Sequence, residues 1–153
     1  MTSFEEVYKL FLNTISSDYR ITNLFLENPE IAEDLLYTWL IKSVATFQLN
    51  SEIKLEEFFN PQEKTFGQLL TITEMTILSN LMILEWQKWN INNITQMNTV
   101  LNDLDYKRHS ESANLRAKQE YFDDFRETVY HDISQYNLKK IPFAEWAAGN
   151  YGI

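Results

Sequence analysis

The side chains best suited to bind a metal ion in this sequence are two histidines, each placed four residues after a carboxylate. Asp105 precedes His109 and Glu127 precedes His131, a spacing that puts each pair on one face of a helix. Metal sites in proteins usually need three or four ligands, and the sequence has no H-x-x-x-H or H-E-x-x-H pattern. Two-ligand pairs of this kind arise often by chance on helix surfaces. We therefore predict no metal site.

Groups for covalent or phosphate chemistry are also missing. Nucleophilic catalysis needs a serine, threonine or cysteine beside a base, but there is no cysteine and no G-x-S-x-G pattern. Ser110 is next to His109 only in sequence, and 3 glycines are too few and too scattered for a phosphate-binding loop. Asp123 and Asp124 are interpreted as a solvated helix face, because acid–base carboxylates must converge in a cleft. The sequence therefore predicts a protein that is not an enzyme and has no cofactor.

Composition places the chain among single-domain globular proteins. It has 153 residues, 44% of them hydrophobic, which is enough to form a core. The net charge of −9 makes it a poor general binder of phosphate backbones, since such binding depends on cationic side chains. The first residues lack the basic and apolar regions of a signal peptide, and no apolar run reaches membrane-spanning length. We expect a protein that is kept in a cytoplasm and neither secreted nor inserted into a membrane.

A few basic residues interrupt this acidic background. They occur as three weak clusters, one of which is Lys139-Lys140 near the end of a predicted helix. Ordinary surface charge and favourable interaction with a helix C-terminus account for such clusters. The alternative is a polar interface or a surface facing a DNA channel, and the candidates for it are Lys107, Arg108, Arg116 and Lys118.

Apolar spacing and few chain-breakers predict an all-α fold, a compact bundle of about four main helices. The predicted helices cover residues 4–16, 29–48, 73–90 and 112–136. The third is apolar around nearly its whole circumference, which is typical of a central helix, and a short helix is expected at 94–101 before a turn. The fourth has apolar residues every seven positions, which indicates packing along one narrow seam. Residues 1–142 then form one helical domain, and 143–153 form an extended C-terminal docking tail.

Two segments outside these helices are rich in aromatic residues. Residues 50–70 are predicted to form a long ordered loop with a short hairpin, and long loops inside compact domains are often functional. Ordering a loop or a tail costs conformational entropy, which burial of aromatic side chains offsets. Four helices already occupy most of the core, so we expect the surplus aromatics to dock on other subunits. The residues predicted to form this protein interface are Phe58, Phe59, Phe66, Phe143, Trp146 and Tyr151.

Four short segments resemble neck proteins of tailed bacteriophages that infect low-GC Gram-positive bacteria. They are ILSNLMILEW at 77–86, NNI at 92–94, DLDYK at 103–107 and SESANL at 110–115. The resemblance implies a head–tail connector adaptor, a structural virion protein without catalytic activity. Such subunits form a ring beneath the portal, often a dodecamer, which extends the DNA channel and docks the next neck or tail component. The implied partners are copies of the same chain, the portal protein, that next component, and DNA in transit.

A second function class fits the sequence as well. A small monomeric regulatory protein of a phage or a bacterium, which binds a single protein partner, would show the same composition and the same lack of catalytic motifs. Genes for a portal and a major capsid protein upstream would favour the neck adaptor.

Overall fold

A computed structural model describes residues 1–100, 105–141 and 149, and it describes side chains for 1–93, 113–141 and 149. Six helices and three two-residue strands account for most of this part, so the predicted all-α bundle is confirmed. In chain order the elements are β1 (Thr2–Ser3), α1 (Phe4–Thr14), α2 (Tyr19–Glu27), α3 (Pro29–Leu49), α4 (Leu55–Phe58), β2 (Phe59–Asn60), β3 (Thr65–Phe66), α5 (Ile72–Val100) and α6 (Asp105–Lys140).

Local capping chemistry explains where the helices begin. At α1 the Ser3 backbone N–H donates to the Glu6 carboxylate over 2.9 Å. At α3 Pro29 occupies the first helical position, where its missing N–H costs nothing. At α5 the Thr71 N–H donates to Glu74, whose own N–H donates to the Thr71 hydroxyl. The predicted starts of α1, α3 and α5 are therefore confirmed to within a residue.

Helix α5 lies at the centre, with α1, α3 and α6 packed around it. Ile77, Leu78, Leu81 and Met82 are buried, as are the two residues that follow them. The predicted central role of this helix is therefore confirmed. Its predicted end near residue 90 is wrong, because the helix continues without a break to Val100.

Helix α6 is the longest element and packs on α5 along one narrow stripe. Phe122, Val129, Ile133 and Tyr136 are its buried residues among the described side chains, and most of the others are exposed. The predicted single seam is confirmed. The helix starts seven residues earlier than predicted, at Asp105. Within the described residues no helix is both long and apolar enough to cross a membrane.

The segment between α3 and α5 is more structured than the predicted loop. One helical turn, α4, leads into the β2–β3 hairpin, which confirms the expected short hairpin. Strand β1 then adds to the other edge of β3, with Thr2 opposite Phe66, to form a three-stranded antiparallel sheet in the order β1-β3-β2. The Thr2 hydroxyl also accepts the Leu70 N–H over 2.9 Å. The N-terminus thereby holds this segment on the bundle.

An aromatic cluster forms where the sheet meets α1 and α3. The Phe4 ring stacks on Phe59 at a centroid distance of 4.7 Å and meets Phe66 edge-on at 5.2 Å. Tyr37 on α3 completes the cluster, with its ring stacked at 6.1 Å from Phe59 and 6.2 Å from Phe4. Phe66 is completely buried by these contacts. The premise that Phe59 and Phe66 are surplus to the core is therefore corrected, because both rings pack inside their own subunit.

Candidate protein-interaction site

A carboxylate joins the start of α2 to the central helix. Asp18 accepts the Arg20 backbone N–H over 3.1 Å, which caps α2, and its second oxygen accepts the Trp86 indole N–H over 2.9 Å. Burial alone would raise the pKa of Asp18, but the hydrogen bonds from Arg20 and Trp86 outweigh it and lower that pKa. Asp18 is therefore ionised at neutral pH and fixes both α2 and the Trp86 ring.

Arg20 extends this network towards the surface. Its guanidinium pairs with Asp18 at 2.9 Å and donates to the side-chain oxygen of Asn90 on α5. It also lies over the Trp89 ring, 5.3 Å from the ring centroid, within range of a cation–π interaction. About half of the side chain, 52%, remains exposed to solvent. Arg20 is thus a rigidly held cation with a free face.

Asp18, Arg20 and Trp86 lie in one wall of a cavity of about 500 Å³ between α2, α5 and α6, here called the Trp86 cavity. Helix α6 contributes the opposite wall through Ala117, Lys118 and Tyr121. Lys118 is exposed and forms no ion pair within the described part of the chain. Because Asp18 already neutralises Arg20, Lys118 leaves the cavity with a positive edge in a protein of net charge −9.

One side chain lining the Trp86 cavity lacks a hydrogen-bond partner. Gln87 is only 7% exposed, and its side-chain oxygen is buried without a donor. Buried polar atoms are nearly always paired, because leaving one unpaired costs about 1–3 kcal/mol. The cavity therefore combines an aromatic wall, a positive edge and an unsatisfied acceptor.

A second groove, the acidic groove, lies between α1, α3 and the hairpin. Phe4, Tyr8 and Tyr37 form its aromatic lining, while Glu30, Glu33 and Asp34 supply negative charge. Burial first and the charge of Glu33 second raise the pKa of Tyr8, so its hydroxyl stays protonated. Lys64, in the left-handed conformation at φ 52°, forms an ion pair with Glu33 across this groove.

Large apolar side chains are exposed at both ends of α3. The turn that joins α2 to α3, residues 26–31 and here called the α2–α3 corner, exposes Leu26 by 79% and Ile31 by 57%. At the other end of the helix Leu49 is 87% exposed, and Leu69 and Ile72 are exposed in the segment that leads into α5. A single exposed apolar residue is ordinary on a protein surface, but here such residues occur in pairs at separate places, which makes these places candidate contact surfaces.

Apart from Phe59 and Phe66, which pack in the aromatic cluster, the predicted interface residues fall into three groups. Phe58 is 40% exposed and is the ring of the hairpin segment that is available to a partner. Arg116 and Lys118 are exposed on α6, and the latter lines the Trp86 cavity. The remaining predicted side chains lie outside the described residues, although the backbone of 107 and 108 belongs to α6. These are the side chains of Lys107, Arg108, Phe143, Trp146 and Tyr151.

Sequence reasoning did not find Asp18, Arg20 and Trp86 as parts of one site. The Ser16-Ser17-Asp18 run carries a capping signal that points to the start of α2, but Trp86 lies 68 residues further along the chain. Among the described side chains no group of three or more His, Asp or Glu residues could hold a metal ion. No known protein family, no curated protein and no solved structure matches this chain.

Proposed function

We propose that this chain is a structural subunit of a bacteriophage neck, a head–tail connector adaptor that assembles as a ring beneath the portal. The proposal starts from the resemblance of residues 77–86, 92–94, 103–107 and 110–115 to neck proteins. Its partners would be copies of itself, the portal protein and the next neck or tail component. It would be assembled in the host cytoplasm, reside in the virion and perform no catalysis.

The observation that carries the proposal is the exposure of large apolar residues at separate places on the bundle. Ile31 and Leu49 are 18 residues apart on α3, which corresponds to about 27 Å along the helix. A ring subunit needs contacts with two neighbours and with components above and below it. A monomeric regulatory protein with a single partner requires only one such surface. Separate apolar surfaces therefore favour the ring subunit.

Charge distribution supports the same proposal. A closed ring is built from heterologous contacts, in which one surface of a subunit meets a different surface of the next. The acidic groove, with Glu30, Glu33 and Asp34, and the Trp86 cavity, with Lys118 at its edge, differ in charge and are formed by different elements. Surfaces of opposite charge favour such head-to-tail contacts over contacts between identical surfaces.

The overall charge fits a channel through which DNA passes. A net charge of −9 repels the phosphate backbone and so disfavours tight non-specific binding that would retain DNA. Under the proposal, Lys107, Arg108, Arg116 and Lys118 supply either a polar interface between subunits or a small number of weak contacts to passing DNA. The cation at the Trp86 cavity favours the interface role for Lys118.

Electron microscopy and sedimentation of the purified chain, alone and with a portal protein from the same genome, test the proposal. We expect rings, or a ring-shaped layer on the portal. A chain that stays monomeric and leaves the portal bare would overturn the neck function. A one-to-one complex with a single host protein would instead establish the regulatory alternative.

Deletion of residues 143–153 gives a second test, because this aromatic segment is the predicted docking tail. We expect the truncated chain to keep the helical circular dichroism of the full chain while head–tail joining fails in an infection assay. Normal production of infectious particles by the truncated protein would rule out a docking role for the tail. Replacement of exposed Thr128 by alanine serves as the matched control, for which assembly should be unchanged.

A further inference from the structure

We propose that the α2–α3 corner of one copy inserts into the Trp86 cavity of the next copy. This inference rests on the proposed ring and names the surfaces through which its subunits meet. The corner is an exposed turn between two helices, whereas the cavity is lined by residues of three helices.

The residues that line the Trp86 cavity indicate which chemical groups a bound segment must carry. Gln87 lines the cavity with a side-chain oxygen that is buried and unpaired, so a rotation of this side chain into the cavity would let the oxygen accept a hydrogen bond. Lys118 and the free face of Arg20 attract a carboxylate. Trp86 and Tyr121 offer aromatic surface to an apolar side chain, and Tyr121 is largely exposed in the isolated subunit. The fitting occupant is therefore a polypeptide segment that carries an apolar residue, an acid and an amide.

The α2–α3 corner supplies these three groups within six residues. Leu26 and Ile31 provide exposed apolar side chains, and Glu27 and Glu30 provide exposed carboxylates without an ion pair in the described part of the chain. Between them lies Asn28, an exposed residue whose side chain makes no capping hydrogen bond. Its amide can donate to the Gln87 oxygen of the neighbouring copy once that side chain turns into the cavity.

The arrangement of the two surfaces on one chain excludes an intramolecular contact. Arg20 in the cavity wall and Glu27 in the corner lie seven residues apart on the rigid helix α2, which corresponds to about 10 Å. A subunit therefore cannot insert its own corner into its own cavity, and each copy has both surfaces free. Such a contact is heterologous and repeats from copy to copy, closing into a ring where the rotation permits.

Cysteine cross-linking tests the contact directly, because the chain contains no cysteine. Leu26→Cys marks the corner, and Ala117→Cys marks the cavity wall. Under oxidation we expect a mixture of the two variants to form disulfide-linked dimers well above the level of either variant alone. A chain with both substitutions should give a ladder of larger oligomers. No cross-linking of the mixture above that of the separate variants would overturn the proposal.

Charge exchange tests the electrostatic part. Lys118→Glu should weaken self-association at least about tenfold, because two carboxylates would then oppose each other in the contact. Glu27→Lys should weaken self-association to a similar extent, because two positive charges would then oppose each other in the contact. Mixing the two variants should restore assembly, since every contact in an alternating ring is again complementary, and such rings contain an even number of subunits. Failure of the mixture to assemble better than each variant alone would contradict the proposal.

A control for the charge change is Lys139→Glu. This residue is exposed on the same helix, 21 residues after Lys118, about six turns away and on nearly the same face. We expect its self-association to equal that of the wild type. One outcome would disprove this contact but leave the neck function standing. In it, the wild-type protein forms rings by electron microscopy, but the Leu26→Cys and Ala117→Cys variants do not cross-link. Absence of rings, of portal binding and of cross-linking would disprove both.

Discussion

Helices α5 and α6 are adjacent and antiparallel partners, yet their side chains meet different surroundings. Around its middle, α5 buries residues on every side, including Leu78, Leu81 and Leu84. On α6 the buried side chains form one stripe, and Tyr121 and Tyr130 on other faces are exposed. The difference follows from position, since α5 has α1, α3 and α6 as neighbours whereas α6 packs mainly on α5.

The comparison shows that the width of the apolar face determines whether a helix serves mainly to stabilise the core or can also contact a partner. A helix that is apolar on all faces buries its side chains in the core, where almost any substitution disturbs a packed neighbour. A helix with a narrow apolar stripe leaves its remaining faces free for solvent or for a partner. In this protein the free faces of α6 include Lys118 and Tyr121 at the Trp86 cavity.

The largest effect is expected from a charge placed inside α5. Leu81→Asp puts an unpaired carboxylate among buried apolar side chains, at a cost of several kcal/mol, comparable with a total stability of about 5–15 kcal/mol. We expect the variant to lose its helical circular dichroism or to unfold at much lower temperature. The matched change on the free face of α6, Gln135→Asp, should alter stability by less than about 0.5 kcal/mol. Equal stability of the two variants would contradict the central position of α5.

Truncation of one buried aliphatic residue on each helix sharpens the comparison. Both Leu78 on α5 and Ile133 on α6 are almost fully buried. Substitution of either by alanine removes packing and leaves a cavity, which costs about 2–5 kcal/mol. We expect Leu78→Ala near the upper end and Ile133→Ala near the lower end, because α6 can relax towards solvent. Denaturant titration measures both, and a larger loss for Ile133→Ala would show that α6 is held more tightly than its single seam indicates.

Much of the framework could be predicted from sequence because it depends on local signals. Pro29 marks the start of α3, and the continuous apolar pattern of residues 77–84 predicts a central helix. The early start of α6 could not be predicted, since Asn, Asp and Ser are abundant in residues 91–112 and favour caps and turns. Helix α2 could not be predicted for a different reason: it has only nine residues, and although several of them are apolar, Ile21 is its one buried residue.

The sheet and the candidate site could not be fully predicted from sequence, because both depend on contacts between residues that are far apart along the chain. Strand β1 has two residues and pairs with a strand more than sixty positions away, so no local pattern reveals it. Phe66 is buried in the core, where Phe4 and Phe59 pack against its ring. In the same way, Lys118 could be selected as a polar interface residue from its type, but its position beside Trp86 depends on the packing of α5 against α6.

A moderate effect is expected where α5 and α6 are joined at one end. The Tyr136 hydroxyl on α6 donates to the buried carboxylate of Glu74 in the first turn of α5, and Lys140 lies 3.6 Å from the same carboxylate. Tyr136→Phe leaves this carboxylate with one donor fewer, at a cost of about 1–3 kcal/mol. Thermal and denaturant unfolding measure the loss. An unchanged stability would show that water replaces the hydroxyl and that this end of α6 is not fixed by it.

The pH dependence of that contact has a defined sign. Burial alone would raise the pKa of Glu74, but hydrogen bonds from Tyr136 and Thr71 outweigh it and lower that pKa below the ordinary value of 4.5. The stability from ionised Glu74 is therefore present above about pH 4.5 and is lost as pH falls through the lowered pKa. Burial and Glu74 raise the pKa of Tyr136, so stability also falls above pH 10.0, where the unfolded tyrosine ionises. The difference between wild type and Tyr136→Phe should be largest between these limits.

The smallest effect is expected on the free face of α6, where the change in stability should depend on helix propensity alone. Thr128 is exposed, and its hydroxyl donates back to the Asp124 carbonyl oxygen over 3.1 Å. Alanine lacks the β-branch that restricts threonine in a helix, so Thr128→Ala should stabilise the isolated subunit by a few tenths of a kcal/mol, up to about 0.7 kcal/mol. Measurement at low protein concentration, where subunits are separate, reports this value. A loss of more than about 1 kcal/mol under those conditions would mean that Thr128 packs against other side chains, and α6 would then have a second buried face like that of α5.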